Sequence, residues 1–167
     1  LPYPGGPEIS RLAHATRGSG ESVPANIAPL PRPMLKSDDY DFSFAGLKTA
    51  AKNLIEKHQP LSDDMRASIA RETEDAIVDV LVSKTMRAAQ VYGARTILVG
   101  GGVSANAHLR LRLAEVAVET VAVVYFPPPG LSTDNAIMIA LAGYFRAMNN
   151  EYADPMTLKA NGNLRLS

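Results

Sequence analysis

The residues best placed to do chemistry fall in short glycine- and aspartate-bearing segments. One reads Leu98-Val99-Gly100-Gly101-Gly102-Val103-Ser104-Ala105-Asn106, an apolar run, three glycines and a serine that can open a helix. Glycine lets a backbone approach a ligand closely, and a helix N-terminus offers unpaired N–H groups to an anion. Asn106 adds an amide that both donates and accepts, as a ribose or purine edge requires. The pattern suits nucleotide binding, with a tight strand-to-helix turn as the plain alternative. It is neither a Walker A loop nor GxGxxG. A second segment, Ser132-Thr133-Asp134-Asn135-Ala136, follows a strand and a rigid triple proline. Asp134 is expected at the start of a helix, where its carboxylate could ligate a metal, position a water or simply offset the helix dipole. A third, Tyr3-Pro4-Gly5-Gly6-Pro7, opens a helix from a glycine turn, as an anion or sugar site would, though Pro-Gly pairs also mark turns without function.

Other reactive residues form no pattern. His14, His58 and His108 match no HExxH or HxxxH spacing and are expected on solvated helix faces. Asp38, Asp39 and Asp41 cluster without the Gly and Glu of a calcium loop, which reads as a polar turn. Gly46-Leu47-Lys48-Thr49 lacks the upstream glycine of a P-loop, and Ser104 has no GxSxG context. Arg110 and Arg112 could meet phosphate, but two residues apart they face different sides of a helix.

The elements that must position these residues follow from proline and periodicity. Seven of twelve prolines lie within the first 33 residues, and none lies between Leu61 and Phe126. Residues 1–33 therefore read as a Pro/Gly-rich entry segment, with a short helix at about residues 7–15 and an extended stretch at residues 18–33. Alternating Tyr40, Phe42 and Phe44 predict a short strand. Helices are predicted over residues 46–58 and from Ser62, as cap, to Tyr92, with Gly93 as the stop. The apolar run Ala76-Ile77-Val78-Asp79-Val80-Leu81-Val82 marks the longer helix as a buried spine. Then come a buried-type strand at residues 95–99, a helix at 104–117, a strand at 121–126 and a helix at 133–149. Alternating strands and helices imply parallel pairing and a helix-rich α/β fold. The chain thus divides into entry segment 1–33, helical insert and spine 34–92, an α/β part 93–150 that carries two of the candidate segments, and tail 151–167.

Composition narrows the class. The 167 residues carry 17 Lys+Arg, 17 Asp+Glu and no cysteine, which removes thiol catalysis, disulfides and Cys-ligated metals. A net charge of zero excludes a module that binds nucleic acid by bulk charge alone. No apolar run reaches the length of a membrane span. The chain starts at Leu1, inside a Pro/Gly motif, which reads as a cut end, and the absence of cysteine fits a reducing, cytoplasmic setting.

Four segments occur in order: YPGGP at 3–7, DFSFAGLKTA at 41–50, GGVSAN at 101–106 and FPPPGLSTDNAIMIALAGY at 126–144. Together they closely resemble the carboxy-terminal half of the TsaD (Gcp) family of tRNA N6-adenosine threonylcarbamoyltransferases, formerly called O-sialoglycoprotein endopeptidases. The resemblance implies part of an actin-like ATPase fold (ASKHA, ribonuclease-H-like), mainly its second lobe. It implies transfer of threonylcarbamoyl from threonylcarbamoyl-adenylate to N6 of the adenosine beside the anticodon, with AMP leaving (t6A formation). It also implies one metal ion, iron or zinc, held by two histidines of an HxxxH motif expected upstream of Leu1 and by the Asp of TDN, here Asp134. By the same resemblance Asn106 and Gly6 contact the nucleotide, ATP or threonylcarbamoyl-adenylate, and Gly101 and Gly102 line its pocket. The implied partners are tRNA and the accessory subunits TsaB and TsaE of a bacterial complex. Where many members carry Ser-Phe-Gln on the long helix, this chain reads Ala70-Arg71-Glu72-Thr73. A non-catalytic nucleotide-binding or assembly module is the alternative from another class. The old metallopeptidase label finds no HExxH here.

Overall fold

The computed structural model describes residues 4–18, 27–120, 122–128, 130–160 and 162. The chain divides into two compact units, Leu1–Ser132 and Thr133–Ser167.

In the first unit, helix α1 runs Gly5–Gly18, longer at both ends than proline spacing predicts. Pro7 lies in its first turn, where a missing N–H leaves no bond unmade, and Glu8 and Arg17 lie at the ends their charges favour. Helix α2, Ala45–Lys57, buries Leu47 and Leu54. Helix α3, Asp63–Val91, begins where Ser62 accepts from the Met65 N–H at 3.2 Å, and Gly93 follows it at φ +60°. Strands β1, Thr96–Leu98, and β2, Val123–Tyr125, pair in parallel with Ile97 opposite Val124. Between them lie a short 3-10 helix, Gly102–Ala105, and helix α4, Ala107–Ala117. The molecule is helix-rich, with a small parallel sheet.

Two apolar clusters flank α3. One joins Ile27 and Leu30 of the proline-rich stretch to Leu47, Leu54, Ile69 and Ala76. The other joins Val78 and Val82 to Leu109 and Leu113 of α4, with Val99, Val124 and Phe126 against it.

The spine helix is buried along its apolar run, at Ala76, Val78, Val80 and Val82, and it also buries Glu72, Glu74 and Lys84, each of them paired. The structure corrects three expectations. The aromatic run 40–44 forms no strand. It is an irregular segment pinned by Lys84, whose Nζ donates to Ser37 Oγ at 2.8 Å, Asp39 Oδ1 at 3.1 Å and the Asp41 carbonyl. The strands are buried on one face only. Ile97 and Val124 are half-buried, while Leu98, Val123 and Tyr125 are exposed. Finally, the helix expected from Ser104 begins at Ala107, because Asn106 caps it. Tyr3 of the YPGGP motif, residues 19–26 of the stretch read as extended, Val121, Pro129 and most of the tail beyond residue 160 lie outside the described residues.

The second unit contains helix α5, Ala136–Met148, three residues shorter at its start than expected. Asn135 is its cap, accepting from the Met138 N–H at 3.0 Å. Within this unit α5 buries no residue. Among the described residues, no helix is long and apolar enough to cross a membrane.

Candidate functional site

The glycine-rich segment folds as its residue types dictate. Gly101 sits at φ +78°, ψ 170°, a conformation open essentially to glycine alone, and there the chain turns from β1 into the 3-10 helix begun by Gly102. Ser104 closes inward, 1% exposed, and its hydroxyl has no hydrogen-bond partner among the described residues. Its carbonyl accepts from Arg110 Nε at 2.6 Å, and the same guanidinium donates to the Pro127 carbonyl at 2.9 Å and stacks 5.1 Å from the Phe126 ring. Arg110 therefore ties the glycine turn to the end of β2. Arg112 points elsewhere and pairs with Glu115, so the two arginines diverge as their spacing predicts.

Asn106 is held by three elements. Its Oδ1 accepts from the Leu109 N–H at 2.7 Å, capping α4. Its Nδ2 donates to Glu74 Oε1 of α3 at 2.7 Å and to Ser10 Oγ of α1 at 2.9 Å. Gly6 stands four residues before Ser10, one helical turn away on the same face. The polar cluster thus joins Asn106 to Ser10, one turn from Gly6, while Gly101 and Gly102 lie on the turn that leads into Asn106. A Cβ at Gly6 would meet no atom within 4 Å, so the protein's own packing does not demand glycine there.

The charged residues around Asn106 carried no motif. Arg17 of α1 pairs with both Glu74 and Asp75, and His108 Nε2 lies 2.9 Å from Asp75 Oδ1. Burial pushes the Glu74 carboxyl up, but hydrogen bonds from Arg17, Ser10 and Asn106 outweigh it and hold the group below its ordinary range. Burial, then the charge of Arg17, lowers His108 against the opposing pull of Asp75 and Glu74. His108 is thus a partnered, half-buried side chain rather than a solvated one. No local signal singles out Glu74 or His108, because Glu74 is one of many charges along α3 and its partners come from distant segments.

Asp134 lies in the second unit, outside α5 and ahead of the Asn135 cap. It is exposed and forms no hydrogen bond or ion pair among the described residues, so neither capping nor pairing accounts for it. No group of three or more His, Cys, Asp or Glu among the described residues could hold a metal ion. Asp134 suits one ligand position and cannot make a site alone.

The family described as TsaD, tRNA N6-adenosine threonylcarbamoyltransferase, matches residues 1–141. Proteins of that name from three bacteria are similar to this chain. The one from Moorella thermoacetica is 41% identical over 168 residues, covering 100% of this chain and 47% of its own length. That from Bordetella avium is 46% identical over 145 residues, covering 85% and 40%. That from Nitrosomonas europaea is 44% identical over 168 residues, covering 98% and 48%. The chain spans about half the length of these curated relatives.

Proposed function

The chain belongs to the TsaD family of tRNA N6-adenosine threonylcarbamoyltransferases, and from that premise we propose that the complete protein is a transferase forming t6A in tRNA. The proposed reaction moves a threonylcarbamoyl group from threonylcarbamoyl-adenylate to the N6 amine of the adenosine beside the anticodon. The carbonyl carbon gains the bond to N6, its bond to the phosphate oxygen breaks, AMP leaves and the amine loses a proton.

The observation that carries this reading is similarity along nearly the whole chain, with all four motif segments inside or overlapping the matched range 1–141. The geometry supports it. Gly6, Gly101, Gly102 and Asn106 form the nucleotide-binding part proposed here. Gly6 lacks a packing reason to be glycine, and Ser104 keeps a buried hydroxyl unsatisfied beside the turn. A flat nucleoside could approach that backbone closely.

We place Asp134 as one ligand of a divalent ion, iron or zinc, whose other ligands lie outside the described residues. Such an ion supplies neutralisation of phosphate charge when bound. The two units would belong mainly to the second lobe of an actin-like ATPase fold, with tRNA and accessory subunits such as TsaB and TsaE as partners.

The test is Asp134→Ala in the complete protein. It should lower the metal content measured by elemental analysis and abolish t6A, measured by nucleoside mass spectrometry of tRNA incubated with threonylcarbamoyl-adenylate. Normal t6A formation by that variant would remove Asp134 from the site. Absence of t6A with the unaltered complete protein and its accessory subunits would defeat the function itself.

A further inference from the structure

Glu74 is 4% exposed, yet it carries a charge into the middle of α3 beside the proposed nucleotide residue. Its Oε1 accepts from Asn106 and its Oε2 from Arg17, while the Ser10 hydroxyl bonds to the same carboxylate. On the opposite side of the Asn106 amide, the Leu109 N–H points at Oδ1. A flipped amide would set its NH₂ against that N–H and its oxygen against the Glu74 carboxylate. Both contacts repel, so only one orientation is stable. Both Nδ2 hydrogens are then occupied, by Glu74 and Ser10, and one Oδ1 lone pair remains.

We infer that Glu74 is a positioning residue that locks Asn106 as a pure hydrogen-bond acceptor toward the nucleotide, selecting a donor such as a ribose hydroxyl. This rests on the reading above that Asn106 contacts the nucleotide. A glutamine at 74 cannot replace the carboxylate. If its oxygen faces Asn106, its NH₂ faces the Arg17 guanidinium; if reversed, two NH₂ groups meet. An aspartate keeps the charge but withdraws it by one methylene.

The experiment is a double-mutant cycle in the complete protein, reading the Kd of a fluorescent ATP analogue alongside the thermal midpoint. Asn106→Ala should weaken binding roughly 10-fold, and Glu74→Gln roughly 5- to 10-fold, the size of one or two well-made hydrogen bonds. The double variant should bind no more weakly than Asn106→Ala alone, and Glu74→Asp should recover part of the loss. A merely structural role would instead give losses that multiply. Multiplying losses, or wild-type binding by Glu74→Gln while Asn106→Ala is weak, would overturn the positioning role and leave the site reading intact. Wild-type binding by Asn106→Ala would overturn both. Should Glu74→Gln fail to fold, the same cycle run with Glu74→Asp decides, since a loss that vanishes in the Asn106→Ala background still identifies action through Asn106.

Discussion

Lys84 and Glu74 bring buried charges into α3, and each is tolerable because its partners arrive from a different segment. Lys84, 1% exposed, satisfies its ammonium with Ser37, Asp39 and the Asp41 carbonyl, while its charge lies 5.7 Å from the Phe42 ring. Lys84→Met keeps the volume but strands those acceptors. It should cost about 0.5–1.5 kcal/mol in urea unfolding, the net worth of hydrogen bonds whose acceptors water can still reach. Hydrogen exchange should quicken in residues 37–44 more than in α2, and an unchanged exchange pattern would show that the segment is held by something else. At this scale the sequence was partly legible. Asn106 and Asp134 stand out by type and spacing, but Glu74 does not, since a charge on a long helix usually faces water. Only the approach of α1 and α4 gives it partners.

Caps and turns decide where each element begins. Both site segments end in an asparagine whose Oδ1 accepts from the N–H three residues on: Asn106 from Leu109, Asn135 from Met138. That shared device moves Asp134 out of the helix it was expected to start. The glycines differ in kind. Gly101→Ala meets open space but must hold φ +78°, and should destabilise by about 1–3 kcal/mol. Gly6 has helical geometry and open space, so Gly6→Ala should leave stability unchanged or raise it by about 0.5–1 kcal/mol. If a nucleotide lies against it, the same change weakens ATP-analogue binding. Undiminished binding would show that Gly6 faces no ligand.

The α3–α4 contact also carries a pH dependence. His108 is held below its ordinary value of 6.5, so the folded protein takes up its proton less readily than the unfolded chain. Its contribution is therefore fully present above about pH 6.5 and is lost as pH falls through the lower folded value. Glu74, also lowered, acts in a more acid window: its contribution is present above its ordinary 4.5 and lost as pH falls through its lower folded value. Unfolding free energy should decline on acidification below pH 6.5, and His108→Gln should flatten that decline. An unchanged slope would assign it to other groups.

At the scale of the whole molecule, the small sheet is the informative element. Parallel strands normally have both faces covered, yet here Leu98 and Tyr125, directly paired, are 79% and 57% exposed. The relatives are about twice as long as this chain. If their remaining half covers this face, Leu98→Asp should cost about 2–4 kcal/mol in the complete protein, as for a charge buried without a partner. In residues 1–167 alone it should stay within roughly 0.5 kcal/mol. Equal effects in both would show that the face stays open to water. The amino-acid sequence by itself determined the order of the five α-helices and the two paired strands among the described residues, the spine helix, the family and the residue types that suit a nucleotide, because periodicity, caps and glycine turns act locally. Tertiary structure alone decided that Asn106 is clamped by Glu74 and Ser10, that His108 is partnered and that one sheet face is bare. Those depend on which segments, up to 96 residues apart, come to lie against α3, and no local rule specifies that.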